Sequence, residues 1–334
     1  MRVVLWCQPR LVVVKVLVLG VLIFWGAGGL SASDVSGTRV PAGVRVVAFA
    51  QDTLANDWRL AQARELEAAF ANYPDIKFVV SNASGSTALQ VQHVEDFTDQ
   101  GVDLLMVSPR DAAAMTPAIA RAHRQGIPVV LITRRILGDE YTSFVGPDDE
   151  DIAAEAARLI ADRLNGSGRV FVLQGVPTAS TAIDRTRGFL REIANYPDIE
   201  VVAVEPGNYL RSDALRVMDT FLEGRGASGS SSEGPGFDAL YAQSDSMAVG
   251  ARIALDMAGF DSAQITTVGI DYIDEARTAI RQGTQTASFV YPTSAREAAE
   301  LAVAILEGRE VPRSIRVPST LVTRENVDAV EPIF

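Results

Sequence analysis

The chain has 334 residues, 48% of them hydrophobic, and a formal charge of −12, so it is long enough for two cores and has the composition of a globular protein. A negative surface repels phosphate backbones and anionic lipid, which excludes nucleic acid as a partner but not a small ligand. Cys7 is the only cysteine, so beyond the N-terminal segment there is no disulfide, thiol nucleophile or thiolate metal site.

The first 33 residues read as an export signal. Arg2 and Arg10 precede an apolar stretch over 11–25 that is broken only by Lys15, and small residues follow over 26–29 and 31–33. Cleavage is expected between about Gly29 and Asp34, delivering the chain to the periplasm. The alternative is an uncleaved anchor, because residues 11–30 approach the ~20 needed to cross a bilayer. Cys7 lies before the apolar stretch, the wrong place for a lipid-modified cysteine.

Beyond the signal, short apolar runs that suit buried parallel strands alternate with longer segments of helical period. In the first half, strands are expected over 44–50, 77–81, 104–108 and 129–133, with helices over 58–72, 88–100 and 116–124. The second half repeats the pattern, with strands over 170–174, 200–205, 239–242 and 267–270 and helices over 151–164, 182–195, 212–223 and 245–258. Strands that are apolar throughout need cover on both faces, so the expected fold is α/β with two doubly wound parallel-sheet lobes. Asn72-Tyr73-Pro74-Asp75-Ile76 recurs as Asn195-Tyr196-Pro197-Asp198-Ile199, each time between a helix and the next strand. The halves meet near Gly146-Pro147-Asp148, where a strand-like Ser143-Phe144-Val145 ends and Asp148 can cap the following helix. The Gly/Ser-rich stretch 223–236 reads as a flexible surface loop.

In open parallel sheets, ligands bind beyond the carboxyl ends of the strands. The sequence puts Gln51, Asp52, Asn56, Asp57, Trp58 and Arg59 after the first strand, and Arg134 and Arg135 after the fourth. The second half offers Asp184 and Arg185, then Tyr209, then Ser244 and Asp245, and finally Asp271 and Tyr272. Sugars need such a mixture, because their C–H faces pack on aromatic rings while their hydroxyls bond to Arg, Asp and Asn. A plainer reading stands beside each: Trp58 as core, Arg134 and Arg185 as surface ion pairs, Asp245 and Asp271 as helix caps.

No catalytic residue, metal ligand or cofactor is assigned. A G-x-G-x-x-G after the first strand and a P-loop are both missing, and Gly166-Ser167-Gly168 precedes a strand instead. His93 and His123 are the only histidines and both fall in helical segments, which disfavours a His-centred triad or zinc site. Asp148-Asp149-Glu150-Asp151 reads as a solvated helix start.

These loops resemble those of the periplasmic sugar-binding proteins of ABC transporters, type I periplasmic binding proteins of the ribose and galactofuranose type. The resemblance is carried by Ala50-Gln51 with Asn56-Asp57-Trp58-Arg59, Gly101-Val102-Asp103, residues 179–188 (ASTAIDRTRG), residues 242–250 (AQSDSMAVG) and Val268-Gly269-Ile270-Asp271, in order from about 44 to about 322. It implies two lobes joined by crossover hinge strands: an N-terminal lobe of 44–147 plus about 291–318, and a C-terminal lobe of 148–290 plus about 319–330. The crossings implied lie near Gly146, near Tyr291-Pro292 and near the C-terminus. Carried over by position, Asn56, Trp58, Arg59 and Arg134 grip a ligand from the first lobe, and Arg185, Tyr209, Ser244 and Asp271 from the second. Trp58 and Tyr209 take the stacking positions, and Gln51, Asp57, Arg135, Asp184 and Asp245 complete the candidate set.

Three positions depart from the ribose-type pattern: Thr133 replaces an aspartate, Ser244 an asparagine, and Val290 or Tyr291 a glutamine. Ribose is therefore not the expected ligand, and a first-lobe wall bearing Arg134 beside Arg135 would suit a sugar with a carboxylate or phosphate. The expected protein is a periplasmic monomer that captures a small sugar or acidic sugar derivative for an ABC transporter permease. The alternative is a receptor that presents such a ligand to a membrane histidine kinase. A sugar-responsive repressor shares the two-lobed fold, but needs a helix-turn-helix where this chain has its apolar segment.

Overall fold

In a computed structural model the described residues are 43–226 and 234–334. The expected export signal and residues 227–233 of the expected loop lie outside them.

Two six-stranded sheets organise the chain. The first contains β1 (Arg45–Gln51), β2 (Ile76–Asn82), β3 (Leu104–Val107), β4 (Val129–Ile132), β5 (Ser143–Gly146) and β11 (Ser314–Arg316), in the order β11-β5-β4-β3-β1-β2. The second contains β6 (Ser167–Gln174), β7 (Asp198–Pro206), β8 (Ala239–Ala242), β9 (Thr266–Asp271), β10 (Ala287–Val290) and β12 (Thr320–Thr323), in the order β12-β10-β9-β8-β6-β7. All pairings in the first sheet are parallel. In the second, β12 runs antiparallel to β10; it is reached directly from the other sheet, so no helical crossover fixes its direction.

Alternation of side chains along each strand explains why both faces are covered. Val47 and Phe49 pack on one side of the first sheet, with α1 (Asp57–Phe70) and α9 (Ala295–Leu306), while Ala48 and Ala50 pack on the other, with α2 (Thr87–Asp99) and α3 (Ala112–Arg124). Val170 and Val172 of the second sheet face α4 (Asp149–Arg163) and α5 (Ser180–Ile193), and Phe171 and Leu173 face α6 (Arg211–Gly226) and α7 (Asp245–Met257). Fully buried side chains such as Leu66 and Phe171 each contribute about 1.5–3 kcal/mol of hydrophobic stabilisation. The core is doubly wound, as the uninterrupted apolar strands predict.

Three segments connect the sheets: 147–148 after β5, 291–294 after β10, and 317–319 between β11 and β12. Asp148 caps α4, its carboxylate accepting a hydrogen bond from the Asp151 backbone N–H at 3.1 Å. The repeated Asn-Tyr-Pro phrase builds the same turn twice: Ile76 N–H bonds to Tyr73 O and Ile199 N–H to Tyr196 O, both at 3.0 Å, and each turn feeds the edge strand of its sheet.

Several bounds differ from expectation. Helix α3 begins at Ala112 because Asp111 accepts hydrogen bonds from the Ala113 and Ala114 N–H groups. Helix α6 continues to Gly226, so residues 223–226 are helix and not loop. The elements beyond 271, including α8 (Asp274–Gln282), carried no sequence expectation.

Candidate functional site

A cavity of about 300 Å³ lies where the carboxyl ends of the two sheets face each other. Its first wall starts where β1 ends. Asn56 caps α1 through a hydrogen bond from Arg59 N–H (3.1 Å), which sets Trp58 and Arg59 in the first turn. The Arg59 guanidinium donates to Ser108 Oγ (2.6 Å) and Gln62 Oε1 (3.2 Å), and its Nε lies 3.7 Å from Asp52 Oδ1. Arg134 donates to Asp52 Oδ2 at 2.8 Å, and Arg110 stands 3.8 Å from the same oxygen. Three guanidinium groups thus converge on one carboxylate. Burial alone would raise the Asp52 carboxyl, but Arg134, then Arg59 and Arg110, bring it below the ordinary carboxylate range. Burial, and then the neighbouring Arg134, lower Arg59 to about 10, which leaves it charged at neutral pH.

Two consecutive arginines diverge here for a local reason. Thr133 has φ +59°, and the Arg134 N–H reaches back to Ile132 O at 2.7 Å. This turn, which costs a non-glycine residue about 1–3 kcal/mol, sends Arg134 into the cavity and Arg135 away from it.

The second wall depends on two glycines. At Gly188 a Cβ would collide with the Glu150 backbone, so only glycine lets α5 approach the first turn of α4. That approach brings Arg185 Nε to Asp149 Oδ1 at 2.7 Å, while Arg185 Nη1 donates to Gln243 O at 2.5 Å. At Gly175 a Cβ would fall inside the Tyr209 ring, which lies against the bare backbone. The Tyr209 hydroxyl is 2.9 Å from that of Thr181, and its carbonyl accepts a hydrogen bond from Asn56 Nδ2 of the other lobe at 2.8 Å.

Asp271 ends β9 with φ +114° and is 6% exposed. Its carboxylate lines the cavity, and no hydrogen bond to it occurs among the described residues. Burial, only partly offset by Arg185, pushes it well above the ordinary carboxylate range. Tyr291 follows β10: its hydroxyl donates to Asp149 Oδ2 (3.2 Å) and its carbonyl accepts from Trp58 Nε1 (2.9 Å). Its ring lies 4.3 Å from the Arg185 Cζ and 5.5 Å from the Trp58 ring.

Of the sequence-expected residues, Asn56, Trp58, Arg59, Arg134, Arg185, Tyr209 and Asp271 line this cavity. The others stand elsewhere, each for a visible reason. Gln51 is buried behind the wall, donating to Gln62 and accepting from the Asp52 N–H. Asp57 precedes Trp58 by one helical step of about 100° and points to solvent. Ser244 caps α7, accepting from the Met247 N–H. Asp245 is buried beneath β9, accepting from the Tyr272 N–H (2.7 Å), Gln285 (2.6 Å) and Ser288 (2.5 Å); burial raises it to about 6. Arg135 stacks on Phe144 at 3.5 Å, and Asp184 pairs with Arg187 at 2.5 Å, both facing a separate groove beside the hinge.

Asp52, Arg110, Thr181, Asn208 and Tyr291 also line the cavity, and Asp149 supports it. A signal for some of them was present: Asp52 and Arg110 follow strands just as the chosen residues do, and Tyr291 stands at a crossing. Asp52 also supplies the carboxylate that Thr133 lacks, so the first wall is less basic than Arg134-Arg135 implied.

Residues 47–310 match the family model for the periplasmic binding protein domain. The chain is 31% identical over 271 residues to the xylitol-binding protein of Mycolicibacterium smegmatis, covering 80% of this chain and 75% of that one. It is 31% identical over 252 residues to the ribose import binding protein of Bacillus subtilis, covering 75% and 78%. The solved fructose-binding periplasmic domain of a hybrid two-component system aligns with a TM-score of 0.79 at 30% identity, covering 86% of this chain and 92% of that one. With two α/β lobes and a cavity between them, the chain belongs to the periplasmic binding protein domain family and has its type I fold.

Proposed function

We propose that the protein is exported, captures a small sugar or sugar derivative between its lobes, and delivers it to the permease of an ABC transporter. The observation that carries this reading is the split site. Trp58, Arg59 and Arg134 come from one lobe, and Arg185, Tyr209 and Asp271 from the other, around a volume near the small end of the ~300–1,000 Å³ range of ligand sites. Aromatic faces, guanidinium donors and an unpartnered carboxylate acceptor are the complement of a polyhydroxylated ring.

A neutral sugar or polyol suits the site better than an acidic one. Asp52 offsets part of the arginine charge, and Asp271, unpartnered at the cavity wall, can exchange hydrogen bonds with a sugar hydroxyl but costs free energy when ionised there. Xylitol, ribose and fructose, named for the relatives, are of this class. Binding requires no bond to be made or broken in the ligand.

Closure follows from the same division. Contacts from a ligand to both walls exist only when the lobes are together, so the ligand favours that state. Direct contacts accompany it: Asn56 to Tyr209 O, Ala112 N–H to Thr178 O at 3.0 Å, and Arg135 N–H to Ser180 Oγ at 2.8 Å. A second reading, a receptor for a histidine kinase, draws support from the likeness to the sensor's fructose-binding domain. Loss of uptake of the bound sugar on deletion of the gene would favour the transporter.

Thermal-shift screening against xylitol, ribose, fructose, galactose and myo-inositol, with gluconate and ribose 5-phosphate beside them, tests the reading. A ligand at a hundred times its Kd adds about 2.7 kcal/mol of stability. A neutral member is expected to raise the melting temperature most; no shift with any of them overturns the reading. Export belongs to the same proposal, and N-terminal sequencing of the periplasmic protein should begin between about Gly29 and Asp34. A chain still beginning at Met1 would mean an anchor.

A further inference from the structure

Asp149 touches no part of the cavity, yet the residues that do are built on it. It is the first residue of α4, immediately after the 147–148 crossing, and it is 7% exposed. One carboxylate oxygen accepts from Arg185 Nε at 2.7 Å, and the other accepts from the Tyr291 hydroxyl at 3.2 Å. Tyr291 stands on a second crossing and holds Trp58 of the opposite lobe by its carbonyl. Trp58 itself packs into the core of the second lobe, beside Ile152 and Tyr291. One carboxylate therefore connects an arginine of the site, two hinge crossings and, at one remove, the aromatic residue of the facing wall.

We propose that Asp149 is the positioning residue of the binding site: it aims Arg185 into the cavity and, through Tyr291, locks that aim to the hinge. The inference rests on the proposed binding function. Without the carboxylate, the Arg185 side chain keeps the bond from Nη1 to Gln243 O and its contact with the Tyr291 ring, but its Nε loses the charged acceptor that fixes the plane of the guanidinium. The groups facing Asp149 are Arg185 and Asp184 on α5, Tyr291 at the crossing, Tyr241 on β8 and Asp271 on β9. Burial outweighs Arg185 and raises Asp149 to about 6. Above that pH the ionised carboxylate holds Arg185; below it the protonated acid gives up the charge-assisted bond.

The test compares wild type with Asp149→Asn by calorimetric titration of whichever of xylitol, ribose or fructose shifts the wild-type melting temperature. Near pH 7.5 the variant should bind roughly tenfold more weakly or worse, the loss expected for one charge-assisted hydrogen bond. Near pH 5 the two should converge, because the wild type has then lost the same charge. Equal affinity near pH 7.5, or a wild-type advantage that persists near pH 5, overturns the proposal.

Two further measurements guard it. If Asp149→Asn does not fold, Tyr291→Phe replaces it: this variant removes a hydrogen bond that favours the ionised carboxylate, so the midpoint of the affinity profile should move to higher pH. An unmoved midpoint counts against the proposal. If none of these three binds, any other screened compound that shifts the melting temperature takes their place; if none does, the binding reading fails separately, and fluorescence decides. In the chain cleaved as proposed, or with Trp6→Phe and Trp25→Phe in the uncleaved chain, Trp58 is the only tryptophan. Its emission should then titrate near pH 6 in the presence of Asp149 and not of Asn; identical titrations overturn the role.

Discussion

Arg134 and Arg135 are neighbours in the chain, as are Asp184 and Arg185, yet each pair divides between two environments. The inner member of each is 2% exposed and fixed by hydrogen bonds: Arg134 on Asp52, Arg185 on Asp149 and Gln243. The outer members face the hinge groove, where Arg187 bonds to Glu150 and Asp184, and Arg316 to Asp148 and Asp151. Exposed pairs of this kind are worth about 0–1 kcal/mol, whereas buried ones are sensitive to the loss of either partner. Charged residues adjacent in the chain thus carry different energetic weight, and burial decides which.

The largest effect should come from separating the second pair. Arg185→Ala is expected to abolish detectable binding, a loss of about 2–5 kcal/mol or more for a buried, hydrogen-bonded charge. The same change leaves Asp149 buried without its cation, so thermal unfolding should show about 3–5 kcal/mol of destabilisation. Asp184→Ala, one residue away, should move neither quantity by more than about 1 kcal/mol. Equal effects from the two variants would erase the distinction between cavity and groove.

Arg134→Met against Arg135→Met repeats the comparison with a smaller expected difference. Loss of Arg134 leaves Asp52 beside Arg59 and Arg110, so the fold should persist while affinity falls by about 1.5–3 kcal/mol. Arg135→Met should bind as wild type in the same titration.

Proton linkage sharpens the contrast, because stability and affinity should respond in opposite directions. Asp149 and Asp245 are raised to about 6 in the fold from 3.8. Between those values the folded state holds more protons than the unfolded chain, so stability falls as pH rises through the window. Asp52 is lowered and acts only at pH below its ordinary value. The melting temperature of the sugar-free protein should therefore be higher near pH 5 than near pH 7.5, while affinity is lower. A parallel fall of both would contradict the assignment.

The smallest effect belongs to Asn56. Asn56→Ala removes the cap of α1, about 1 kcal/mol of stability, and the Asn56–Tyr209 contact between the lobes, so affinity should drop only a few-fold by calorimetry.

The doubly wound core was legible because uninterrupted apolar strands such as Leu104–Val107 leave no solvent face. The residues that line the cavity were legible where a strand end and an aromatic or arginine coincided, as at Trp58 and Arg185. What sequence position did not reveal was direction. Asp57 and Trp58 differ by one helical step, and Arg134 and Arg135 by the positive φ of Thr133, neither of which leaves a mark in residue type. Asp149 escaped because an acidic run at a helix start normally means solvent; only Gly188, which draws α5 onto that turn, buries it. Arg110 follows β3 and was open to the rule that found Arg134.

Small-angle scattering tests the central claim, that a sugar held by both walls closes the lobes. The protein should be measured alone and saturated with the neutral sugar or polyol that most raises its melting temperature. Without the sugar, the radius of gyration should exceed that of the arrangement in which Asn56 meets Tyr209; with it, the two should agree. Superimposable curves that both match the closed arrangement would contradict ligand-driven closure.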